Sequence, residues 1–151
     1  MNCKKHFFVL LGLLLGVNFN AFAWDYTVGE EDWGEACYAS EKNQSGVELT
    51  ILTQRDNFGP IMEIDPYEDR HGYTFPISIF VDSALISTLD ATRGEYFAGM
   101  VADISTRELN ALASGSFLRI EIARQETVEF SLKGSAKAIQ SLMACSQKRR
   151  K

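Results

Sequence analysis

Leu118-Arg119-Ile120-Glu121-Ile122 and Val128-Glu129-Phe130-Ser131-Leu132 each alternate apolar and polar residues, on either side of a break near Gln125 and Glu126. Successive side chains of a strand point to opposite faces, so this pattern predicts two half-buried strands joined as a hairpin. Directly after it, Gly134-Ser135 opens a stretch in which Ala136, Ile139, Leu142 and Met143 recur at helical spacing up to Cys145. That stripe predicts an amphipathic helix, which Cys145 would pin to the region after Trp33.

The same reading extends upstream. Val47, Leu49 and Ile51 alternate with Glu48 and Thr50, between the turn signals Asn43 to Gly46 and Asn57-Phe58-Gly59-Pro60, and a second strand follows at residues 61 to 65. These two form a predicted hairpin. Tyr73, Phe75, Ile77, Ile79 and Val81 line one face of a longer strand, in which Pro76 implies an edge position or a bulge because it has no donor for a ladder. A further strand is expected over residues 94 to 102, and Ser105-Thr106-Arg107-Glu108 matches a capping box for a helix through Leu109 and Leu112 that stops at Gly115. Residues 24 to 36 mix acids with Trp24, Tyr26 and Trp33 and read as a partly ordered lead-in anchored by its rings. Six or seven short strands with two short helices predict a mainly β (α+β) fold, an antiparallel β-sandwich or open barrel with the helices capping it or lying on one face.

The 151 residues are 46% hydrophobic and 11% aromatic with three prolines, which excludes a disordered, collagenous or coiled-coil chain and fits one domain. Lys4 and Lys5, an apolar run from Phe7 to Val17 and Ala21-Phe22-Ala23 read as a secretory signal peptide over residues 1 to 23. The apolar run is too short for a membrane anchor, which needs about 20 residues. Cys3 precedes the run rather than following it, unlike a lipid-modified cysteine. The expected organisation is therefore a signal peptide, a single periplasmic or secreted domain over residues 24 to 147, and a basic tail over residues 148 to 151, with no membrane span after cleavage.

Cleavage leaves Cys37 and Cys145, an even pair in a chain bound for an oxidising compartment, and predicts a disulfide between the ends of the domain. A metal-binding thiol pair needs further ligands, and the mature chain has one histidine, His71. Residues 24 to 147 carry 9 basic and 20 acidic groups, a net charge of −11, against the all-basic tail Lys148, Arg149, Arg150 and Lys151. Such a body repels nucleic acid and anionic lipid and attracts a basic protein or cationic peptide, although an acidic balance also serves plain solubility.

Catalytic and ligand motifs are sparse. No serine has the G-x-S-x-G flanks of a nucleophile elbow, and zinc spacings and phosphate-binding glycine loops are absent, so no cofactor or metal is expected. The polar loop Asp65-Pro66-Tyr67-Glu68-Asp69-Arg70-His71-Gly72 is the main candidate surface. Its binding candidates are Asp65, Tyr67, Glu68, Asp69, Arg70, His71 and the following Tyr73. Asp65, Glu68 and Asp69 supply part of a calcium ligand set without EF-hand spacing. Trp24, Trp33 and Phe58 extend the choice of rings for an aromatic surface or a core. Asn43-Gln44-Ser45 is formally a glycosylation acceptor.

At the two ends of the mature domain, Asp32-Trp33-Gly34-Glu35-Ala36-Cys37 resembles the D-W-x-x-x-C opening of the invasion-associated locus B family, exported proteins of Gram-negative bacteria. Phe130-Ser131-Leu132-Lys133-Gly134-Ser135, with Ala138 and Leu142, resembles that family's F-x-L-x-G hairpin-to-helix ending. The middle, residues 55 to 104, carries no matching motif. The resemblance implies a periplasmic, mostly β domain with a structural disulfide and an accessory role in envelope or host interaction, and it carries over no catalytic residue. Ser114-Gly115-Ser116-Phe117 is similar to the Ser-Gly loops of bacterial lysozyme inhibitors, though its flanks depart from them. Three readings follow: a non-enzymatic envelope binding protein, an inhibitor or immunity protein against a basic hydrolase or toxin, and a small hydrolase using His71 with Asp65, Glu68 or Asp69.

Overall fold

The computed structural model describes residues 24 to 32, 34 to 54, 59 to 67, 73 to 93 and 99 to 147. Residues 1 to 23, Trp33, residues 55 to 58, residues 68 to 72, residues 94 to 98 and residues 148 to 151 lie outside the described residues. The elements in chain order are β1 (Asp25–Glu31), β2 (Gly34–Lys42), β3 (Glu48–Gln54), β4 (Ile61–Asp65), β5 (Thr74–Val81), β6 (Ala84–Arg93), β7 (Met100–Asp103), α1 (Thr106–Ser114), β8 (Phe117–Ile122), β9 (Glu126–Ser131) and α2 (Ser135–Ser146). The strands form one antiparallel sheet in the order β1-β2-β3-β4-β7-β6-β5-β8-β9, with no ladder joining β9 back to β1. The fold is therefore the expected mainly antiparallel one, as a single open sheet with two helices.

Two helices packed on each other fill the concave face, α2 against β2 and β3 and α1 against β6. The inward rows follow from the register: Ala39, Ile51, Met62 and Ala102 stand opposite one another across β2, β3, β4 and β7, and Ile79, Ile120 and Val128 across β5, β8 and β9. The inward residues of β2 to β5 and β8, with Phe130, Leu109, Leu112, Ile139 and Leu142, make one core.

The local rules that hold do so for visible reasons. Ser105 caps α1, with Glu108 answering it in a complete capping box. Gly115 ends that helix, but at φ −84° it is not there for a left-handed turn; a Cβ at this position would stand 2.2 Å from Val81 Cγ1. Gly134, at φ +90°, does adopt the left-handed conformation before α2. The Ser135 hydroxyl donates to the Leu112 carbonyl at 2.7 Å, satisfying one of the free carbonyls at the end of α1. Pro76 lies inside the sheet, yet its carbonyl accepts from Ala123 at the turn after β8, so its missing donor faces a place where the neighbouring strand has ended.

Four details correct the sequence reading. The lead-in is a strand hairpin, β1 with β2; β1 is an edge strand and so shows polar residues on both faces, Val28 included among the exposed ones. Among the described residues the sheet has nine strands rather than six or seven. The unanticipated β6 carries a break in register, with Ile79 opposite Ser87 but Phe80 opposite Leu85, which erases the alternation a strand pattern relies on. Its neighbour β7, Met100–Asp103, falls at the end of the strand expected over residues 94 to 102, of which 94 to 98 lie outside the described residues. The β8–β9 turn is centred on Ala123 and Arg124, both at positive φ, two residues before the expected place and without the usual Asn-Gly signal.

Cys37 on β2 is bonded to Cys145 on α2, with Cα atoms 6.5 Å apart and a sequence separation of 108. Replacing both cysteines by serine should lower unfolding free energy by up to about 4.7 kcal/mol, the chain-entropy value for a loop near 100 residues. Urea titration of the variant beside the oxidised protein measures this directly, and an unchanged midpoint would show that the clamp contributes nothing.

Candidate functional site

The open edge of the sheet borders a concavity. Leu132 donates to the Ser116 carbonyl, so by strand alternation the even-numbered residues of β9 face β8 while Thr127, Glu129 and Ser131 turn their backbone groups to the free edge. Two of those carbonyls are met by side chains from the chain's first strands. Trp24 Nε1 donates to Ser131 O at 3.0 Å, and Asn43 Nδ2 donates to Glu129 O at 3.0 Å. The end of β2 and the last strand thus meet at a seam bridged by side chains instead of a ladder.

A groove of about 650 Å³ runs along this seam, lined on one side by Glu41, Asn43, Gln44, Ser45 and Val47 and on the other by Phe117 and Thr127 to Ser131. Asn43 shapes one wall: its Oδ1 accepts from the amides of Ser45 and Val47, both at 3.0 Å, and Gly46 at φ +84° completes the turn. The acceptor triplet at Asn43 therefore has a folding role, with its amide nitrogen committed to Glu129 O. Val128 and Phe130 supply apolar lining and Phe117 stands exposed beside it.

Glu41 is the unusual member. It follows Cys37 and Ala39 on the inward face of β2, is only 3% exposed, and has no hydrogen bond or ion pair among the described residues. Burial raises its pKa, and the neighbouring Asp25 carboxylate pushes it the same way. A buried carboxylate is costly unless paired, so this group is poised either to hold a proton or to take a cation. Glu108, buried to the same 3%, shows the contrast. Burial pushes it up too, but the Ser105 hydroxyl and amide hydrogen-bond its carboxylate and the net shift is downward.

The candidates from the polar loop are placed elsewhere. Asp65 ends β4 opposite Glu48. Tyr67 stacks on Phe75, with ring centroids 5.1 Å apart, and packs against the core, while Tyr73 is 60% exposed before β5. Glu68, Asp69, Arg70 and His71 lie outside the described residues. The structure brings none of the described three into the groove. Trp24 is a buried seam residue, not part of an exposed aromatic surface. Glu35 has a carboxylate oxygen within 4.8 Å of the Cys37 and Cys145 sulfurs, but these sulfurs are bonded to each other and are not thiolates. Among the described residues no helix is long and apolar enough to cross a membrane.

Sequence reasoning missed Glu41, Asn43 and Glu129 as a set. The available signal was parity: Cys37, Ala39 and Glu41 share one strand face, and a carboxylate at the third inward position stands out once β2 is recognised.

Opposite pH signatures follow from the two buried glutamates. A raised folded pKa gives stability that is fully present below the unfolded value and lost as pH rises through the folded one; a lowered pKa gives stability present at neutral pH and lost in acid. Glu41→Gln should therefore raise Tm at pH 7, with the gain shrinking below the ordinary glutamate range, and Glu108→Gln should lower it. Thermal melts between pH 3 and pH 8 test both, and a Glu41→Gln variant no more stable than wild type at pH 7 contradicts the burial argument. No protein-family model, curated protein or solved structure matches the chain.

Proposed function

We propose that this chain is an exported, non-enzymatic protein of the bacterial envelope, periplasmic or secreted, that binds a basic protein partner. The observation that carries the reading is charge: 20 acidic against 9 basic groups over residues 24 to 147. Asp25, Glu30 and Glu31 stand on an edge strand that is exposed on both faces. Fields of this kind steer oppositely charged partners into encounter. A disulfide between the domain's ends suits an oxidising compartment.

The proposed kinship with the invasion-associated locus B family rests on segments that flank this clamp. Gly34 to Cys37 open β2, and Phe130 to Ser135 join β9 to α2. They are scaffold positions, so the kinship adds location and shape rather than chemistry. The inhibitor form of the reading draws on the same acid excess, with a basic hydrolase or toxin as the partner. It does not draw on the Ser-Gly segment, where Gly115 is tightly packed and the amides of Ser116 and Phe117 are both held by the Asp82 carboxylate at 3.0 Å.

Affinity capture from envelope extract on the oxidised mature protein should recover a stoichiometric basic protein at low ionic strength and release it near 1 M salt, where the screening length falls to about 3 Å. A column that retains no basic protein, or retains one that salt does not release, counts against the reading.

A further inference from the structure

The seam groove has the features of a built site rather than a surface irregularity. Its volume of about 650 Å³ lies within the roughly 300–1,000 Å³ of small ligand sites. Inside it Glu41, 3% exposed, has no partner of opposite charge or hydrogen-bond donor among the described residues. Glu129 lines the β9 side, with its side chain on the exposed face of that strand, and Val47, Val128, Phe130 and Phe117 supply apolar surface. The combination of a buried anion and aliphatic and aromatic walls suits a cation on an apolar stem, which can lay its methylenes on the walls while its head reaches the carboxylate.

The edge of β9 adds a second means of recognition. Asn43 and Trp24 occupy the carbonyls of Glu129 and Ser131, but in the register of β9 the backbone of Thr127 and the amide of Glu129 also face the free edge. An extended backbone laid beside them can pair with these groups, as in recognition by strand addition. Charge favours a basic occupant, since the groove contributes Glu41, Glu129 stands exposed at its rim, and Asp25 lies close enough to Glu41 to repel it.

We propose that this groove is the site where an extended segment of a basic partner protein docks, inserting one lysine or arginine side chain onto Glu41 while its backbone runs along β9. The proposal rests on the reading of the chain as a binder of basic proteins and names the surface and the recognition element for it. Val128 and Phe130 seat the stem, and Phe117 offers a ring face to the cation at the groove mouth.

The test uses the oxidised mature protein and a blocked seven-residue threonine-valine peptide with one central lysine, beside the same peptide with norleucine in that place. Amide shifts in a nitrogen-15 titration should localise to Ser45, Val47 and Thr127 to Ser131. Because a hydrogen bond to a charged group is stronger than one between neutral groups, the norleucine peptide and the Glu41→Gln variant should each bind at least about tenfold more weakly. Glu121→Gln, which removes an outward carboxylate paired to Arg119 at 3.3 Å, should bind the lysine peptide as wild type does. Equal binding of the two peptides, undiminished binding by Glu41→Gln, or shifts confined to other strands overturns the proposal. Running the extract capture with Glu41→Gln separates the two claims. A basic partner retained equally by variant and wild type sinks the groove assignment and leaves the binding function standing, whereas groove binding of the lysine peptide with no partner in the extract supports the site and sinks the partner reading.

Discussion

The clamp between Cys37 and Cys145 decides the shape of everything around it. It joins the second strand to the last helix across 108 residues of sequence, so the two ends of a nine-stranded sheet are held on the same pair of helices. A long antiparallel sheet twists and curls by nature. Here the curl brings β9 within side-chain reach of the β2–β3 turn without giving the backbones a shared ladder. Trp24 and Asn43 bridge the remaining distance. The groove is the space that such a closure leaves, and its existence depends on the seam staying open.

That geometry explains why two glutamates with the same exposure behave oppositely. Glu108 sits in the first turn of α1, where the amide of Ser105 and its hydroxyl satisfy the carboxylate. Helix starts supply free donors by construction. Glu41 sits at the end of a strand whose backbone donors are directed along the sheet, and it faces a gap rather than another element. Among the described residues its charge has nothing to offset burial. Edge strands otherwise invite unwanted pairing, and this molecule guards its edges with acids on β1 and with side-chain caps on two carbonyls of β9.

Much of the fold was legible from residue pattern. The β8–β9 hairpin, the β3–β4 hairpin, the apolar face of β5, the capping box at Ser105 and the disulfide each express a local rule that nothing in the tertiary structure overrides. The parts that were not legible share a cause. Strand β1 has no covered face, so Asp25 to Glu31 show no alternation, and the register break beside Ile79 and Phe80 scrambles the pattern of β6. The candidate site followed the same logic. Asp65, Tyr67 and Tyr73 drew notice because they adjoin a polar loop, yet Tyr67 is a packed ring and Asp65 a strand end. Glu41 looked ordinary because burial is a property of the assembled sheet, and only the meeting of β2 with β9 turns it into an isolated carboxyl in a groove.

The openness of the seam is the claim on which the groove, the unpaired Glu41 and the proposed docking mode all rest. Amide hydrogen exchange along β9 measures it most directly. The account predicts slow exchange at Val128 and Phe130, which face β8, and much faster exchange at Thr127 and Glu129, which face the seam. Uniform protection of all four amides would mean that β9 is laddered on both sides, that the barrel is closed, and that no such groove exists in solution.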